Sequence, residues 1–112
     1  MLDKNGNEIK VGDVVKIEGA YFKKNIGEFI VTKVPGSPNW SGKDCCLTKA
    51  TKKHQFSKQK YNLCFWPLIA FTNDYIKAKE AKTHNKKYAT IEVIGNVSLE
   101  YVEQYEKEVW GQ

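Results

Sequence analysis

Cysteine and histidine supply most of the reactive chemistry a side chain can offer, and here they are few: Cys45, Cys46 and Cys64, with His54 and His84. Cys46, His54 and Cys64 are ligand types that suit zinc, and a hairpin pairing residues 43–50 with 61–66 would bring the two thiols within reach of each other. Against a metal stand the missing C-x-x-C knuckle and the adjacency of Cys45 and Cys46, which in a strand point to opposite faces. A nucleophile and base pair of Cys64 and His84 has no motif around it. The eight glycines are scattered as turn formers, without a phosphate-cradling pattern. The expectation is therefore a chain that is not an enzyme and holds no cofactor, with a zinc-binding structural module as the alternative.

Binding chemistry is better represented. Net charge is +5, and all 18 basic residues are lysine. Residues 1–96 hold 17 lysines against 9 acidic residues, whereas residues 97–112 hold Lys107 against Glu100, Glu103, Glu106 and Glu108. A basic body calls for an acidic partner or solvates as plain surface. Without arginine there is no bidentate fork to read guanine, so any nucleic-acid binding rests on phosphate charge and is weakly sequence-specific. Lys49, Lys52, Lys53, Lys58 and Lys60 crowd the stretch 49–60. Tyr21 and Phe22 in one glycine-bounded loop and Trp40 in the Pro/Gly-rich PGSPNWSG add aromatic surface that either plugs a core or contacts a partner.

The elements that must hold these residues out are mostly strands. Val11 to Val34 reads as two strands: Asp13 to Glu18 after the Gly12–Asp13 turn, and a second after Gly27 carried by Phe29, Ile30, Val31 and Val34. Lys43 to Ala50 and Tyr61 to Trp66 read as a hairpin, with Cys45 and Leu47 on one face; one register sets Cys46 opposite Cys64 on the outer face. The linker Thr51 to Lys60 is expected to protrude. A lightly packed helix, capped by Thr72, Asn73 or Asp74 and running to about Lys86, precedes a closing strand, Tyr88 to Ile94, which Gly95 and Asn96 end. Ser98 then caps an amphipathic helix with Leu99, Val102, Tyr105 and Val109 along one face; Tyr101, Tyr105 and Trp110 are its candidates for contact with a partner. The division is a domain over 1–96 and a terminal helix over 97–112 that packs on it or on a partner. No run is long enough to span a membrane, and no signal peptide is read at the N-terminus, so the expected location is the cytoplasm.

This order of elements, with G-D-V-V-x-I-x-G at Gly12 to Gly19, resembles the SH3-like small barrels, including KOW-type modules. The longer pattern GDVVKIEGAYFKKNIG, VPGSPNW, KYNLCFWPL and ATIEVI is similar to small proteins carried by phages and conjugative elements of low-GC Gram-positive bacteria. The resemblance implies a mainly β (α+β) fold with two helices: a five-stranded antiparallel barrel, a helix before the last strand and a C-terminal amphipathic helix. It also implies binding rather than catalysis. The expected function is a binding module of a mobile genetic element that binds and inhibits or modulates a host protein handling nucleic acid, in the manner of an anti-CRISPR inhibitor. Direct, weakly specific DNA or RNA binding through the lysine-rich hairpin is the alternative.

Overall fold

The computed structural model describes residues 3–19, 23–33, 46–58, 62–64 and 90–110, those of 62–64 and 110 by backbone alone. Five strands form one antiparallel sheet: β1 (Asp13–Glu18), β2 (Gly27–Thr32), β3 (Cys46–Ala50), β4 (Asn62–Cys64) and β5 (Thr90–Asn96), in the order β4-β3-β2-β1-β5. Helix α1 (Leu99–Trp110) follows the last strand. The fold is mainly β, and the sheet is open rather than a closed barrel: among the described residues β4 and β5 are its edges, and three-residue β4 offers little ladder for closure. The expected helix before the last strand lies outside the described residues. No helix of the described residues is long and apolar enough to cross a membrane.

β1 begins where turn chemistry predicts. Asp13 N donates to Lys10 O at 3.0 Å, closing a four-residue turn with Gly12 in its third position at φ +95°, the place where a type II turn needs a positive φ. The Asp13 carboxylate accepts from Lys10 N at 2.9 Å and completes the loop. Cys46 lies opposite Cys64 and Leu47 opposite Leu63, one of the registers that side-chain parity allows, but Cys46 is buried instead of lying on an outer face, because both faces of the sheet are covered there.

Strand β5 departs from expectation. It continues through Gly95 and Asn96, which pair with Val14 and Asp13, and a bulge between Val14 and Val15 leaves Ile94 as the extra residue. Gly95 stays in the ladder, and its missing side chain leaves room for the imidazole of His54; a Cβ at Gly95 would lie 3.2 Å from His54 Nε2.

Both faces of the sheet are buried at its centre. On one, Val15, Ile17, Phe29, Val31, Leu47 and Ile91 pack with Ile9. On the other, Val14, Ile30 and Ala50 pack under Val102 of α1. Hence β2 buries four consecutive residues, Phe29 to Thr32, instead of alternating. The hydroxyls of Thr32 and Thr48, on the helix-covered face, satisfy each other at 2.9 Å. Ser98 caps α1, its Oγ accepting from Tyr101 N at 3.1 Å, and Val97 joins the same cluster as Val102, a hydrophobic staple across the cap. Leu99, expected on the buried stripe, is 57% exposed and lies beside Gly12.

The N-terminal DKNGN is more than a polar turn. Asp3 is buried, and its carboxylate accepts from Asn5 N (2.9 Å), Asn7 N (2.7 Å), Asn7 Nδ2 (3.3 Å) and, across the molecule, Val93 N (2.8 Å). Burial pushes its pKa up, yet the hydrogen bonds from Val93, Asn7 and Asn5 outweigh it, and the carboxyl sits below its ordinary value. A depressed native pKa adds stability that is present above the unfolded-state value and is lost as pH falls through the native one. Acid unfolding should therefore be blunted in Asp3→Asn: between about pH 6 and pH 3 the variant's urea midpoint should fall less than that of the parent. Parallel midpoints across that range would show that Asp3 does not drive the acid limb.

Candidate anion-binding groove

Strand β3 ends in a turn that folds back on the sheet. Thr51 N donates to Gln55 O at 2.7 Å and His54 N to Thr51 O at 3.0 Å, while Thr51 Oγ1 accepts from Lys53 N and Gln55 N. Phe56 bridges back to Ala50, and Ser57 N donates to Lys49 O at 3.0 Å. The expected protruding lysine hairpin is thus a pinned loop over residues 51–57. Side-chain contacts hold it down. His54, at φ +60°, places Nδ1 3.2 Å from Glu28 Oε1, and Phe56 stacks on Tyr105 with ring centroids 3.8 Å apart.

This fold-back opens a groove of about 470 Å³ beside the β2–β3 ladder, with Lys16, Lys49 and Lys52 at its walls and Gly27, Glu28 and Ala50 among its lining. Lys49 is the fixed member. Its Nζ donates to Ile26 O at 2.9 Å and lies 4.8 Å from the centroid of the Phe29 ring. Gly27, at φ +132°, leaves room for it, since a Cβ there would sit 3.1 Å from the ammonium. Burial pushes the Lys49 pKa below the usual lysine value, a sign that the charge is partly stripped of water. Lys16 stands opposite Glu28 in the β1–β2 ladder and meets Glu18 Oε2 at 3.3 Å. Lys52 is exposed at the tip of the turn.

Of the residues singled out by sequence, Lys49 and Lys52 line this groove. Lys53 and Lys58 are exposed next to it in sequence. Lys60, Tyr21, Phe22 and Trp40 lie outside the described residues, as do Cys45 and His84. The zinc set Cys46, His54 and Cys64 is not brought together. Cys46 is buried opposite Thr32 at one end of β3, whereas His54 meets Glu28, four residues away along β2, or about 13 Å at strand rise. Among the described residues no group of three or more His, Cys, Asp or Glu side chains is placed to hold a metal ion.

Tyr101 and Tyr105 are half-buried and each makes an internal contact: the Tyr101 hydroxyl accepts from Phe56 N at 3.0 Å, and the Tyr105 ring carries the stack on Phe56. Only the backbone of Trp110 is described. Sequence reasoning passed over Lys16, Gly27 and Glu28, which join the site through cross-strand pairing; the lone signal was Gly27 itself, read as a strand opener. Comparison of the chain with family models, curated proteins and solved structures finds no match.

Proposed function

We propose that the chain is a non-enzymatic binding module that takes the phosphate backbone of a nucleic acid into the groove. The observation that carries this reading is the set of three lysines around an open cleft, with Lys49 held in place and partly desolvated. Ammonium groups held before binding lose little freedom when a phosphate arrives. The strand order, a meander with the last strand returning beside the first, is that of the SH3-like small barrels and supports placing the domain in that class. Since lysine acts as a point charge and the chain has no arginine, binding is weakly sequence-specific.

Fluorescence anisotropy with labelled mixed-sequence DNA and RNA strands tests it. Affinity should fall steeply with salt, and Lys16→Gln/Lys49→Gln/Lys52→Gln should flatten the log–log salt slope by roughly 0.7–0.9 for each phosphate contact removed. No binding at low salt, or a slope unchanged in the triple variant, overturns the reading.

A second reading, a modulator of a host protein that handles nucleic acid, is favoured by a different surface. α1 turns Glu100, Glu103 and Glu108 outward, with Lys107 among them, while spending Val102 on the sheet, so it carries an acidic surface beside the basic body. Retention of a specific protein in a nuclease-treated pull-down supports it, and recovery only through contaminating nucleic acid counts against it.

A further inference from the structure

Where the fold-back loop meets α1, a pocket of about 200 Å³ is lined by Phe56, Tyr101, Gln104, Tyr105 and Glu108. The four helix residues are spaced i, i+3, i+4, i+7, so they form one stripe of α1. The pocket is walled by aromatic rings. Phe56 and Tyr105 lie nearly parallel, at 9°, and Tyr101 is tilted 40° to Phe56 with centroids 5.0 Å apart. At the rim, exposed Glu108 accepts from Gln104 Nε2 at 3.3 Å on Oε2. One polar group is unsatisfied: the Tyr105 hydroxyl oxygen is buried and has no hydrogen-bond partner among the described residues. Burial also pushes its pKa up, so the phenol stays neutral at physiological pH.

We infer that this pocket receives the guanidinium of an arginine side chain presented by a protein partner. Aromatic faces attract a cation, and a guanidinium also stacks on them through its plane. Its donors match the carboxylate that Glu108 presents at the rim. An ammonium is held more tightly by water and stacks less well. The carboxylate of Glu108 at the rim, with Glu100 one residue before the stripe, disfavours a phosphate backbone, which sets this site apart from the lysine groove. The chain itself contains no arginine, so neither its own segments nor a second copy supply the group. The inference deepens the second reading above and rests on it for the class of partner.

A blocked Gly-Arg-Gly tripeptide, with its citrulline and lysine analogues, is the probe, titrated against the full chain at low salt while the aromatic side-chain resonances are followed by NMR. The Phe56 and Tyr105 ring signals should shift and saturate with the arginine peptide in the millimolar range, a span of about 4 kcal/mol. The citrulline peptide, isosteric but neutral, should bind at least about tenfold more weakly. Glu108→Gln, at an exposed position that leaves packing intact, should bring the arginine peptide down to the citrulline level. Tyr105→Phe keeps the stack and removes only a hydroxyl closed off from the pocket, and should bind the arginine peptide as the parent does.

Absence of a saturable shift, equal affinity for arginine and citrulline, or an unchanged response in Glu108→Gln each overturns the inference. A failed titration beside a successful nuclease-treated pull-down would reject the arginine pocket while leaving the protein-binding reading intact.

Discussion

Phe29→Ala should remove about 3–5 kcal/mol of stability, the usual loss for truncating a fully buried aromatic. Phe29 is 0% exposed in β2, between Val15 on one side and Lys49 on the other, and belongs to the cluster that also holds Ile17, Val31, Leu47 and Ile91. Small domains are stable by only about 5–15 kcal/mol in all, so the loss is a large fraction and should appear as a lower urea midpoint with an unchanged slope. The same ring lies 4.8 Å from the Lys49 ammonium; a partly desolvated cation–π contact adds roughly 0.5–2 kcal/mol. Phe29→Leu, which refills most of the volume and loses the π face, should therefore be milder in stability yet still loosen Lys49. A loss below about 1 kcal/mol in Phe29→Ala is incompatible with a packed site of this kind.

Gly12→Val is the second large effect. At φ +95° an L-residue is strained, and a Cβ there would lie 3.2 Å from the backbone oxygen of Val97 and 3.3 Å from Leu99 Cδ2. Leu99 is exposed and can swing away; the Val97 peptide is less free, because Val97 N donates to Gly12 O at 2.8 Å while Gly12 N donates to Val31 O at 3.0 Å. Strain of this sort costs about 1–3 kcal/mol, with crowding and the loss of two backbone hydrogen bonds in addition. Gly6 offers a control: its φ is +87°, and a Cβ there would meet nothing within 4 Å. Chemical denaturation of Gly12→Ala, Gly12→Val and Gly6→Ala should separate backbone strain, common to all, from the crowding confined to residue 12. Equal losses at Gly6 and Gly12 in the alanine pair would show that the approach of Val97 carries no weight.

Much of the architecture is legible from local signals. The bounds of β1 follow from a turn with Gly12 in place and from the β-branched residues after it. The start of α1 follows from Ser98 and its hydroxyl cap. The pairing of Cys46 with Cys64 is one of the registers that parity along two short strands allows. Other readings miss for reasons that are equally physical. A glycine in Gly95's position usually ends a strand, and here it makes room for His54, which lies far earlier in the chain. A lysine-rich linker usually protrudes, and this one is pulled down by its own Phe56 and His54.

Sequence by itself determined the strand periods, the caps, the basic body and the acidic tail, because each rests on neighbours a few residues apart. Tertiary structure alone decided that α1 covers the second face of the sheet, so that Val14, Ile30 and Thr32 are as buried as the residues alternating with them. It also decided where the chemistry lies. Lys16, Gly27, Lys49 and Lys52 become one groove, and Phe56 meets Tyr105, through contacts between segments distant in sequence. Their geometry is set by ladder register and close packing of the whole domain, which no local propensity encodes.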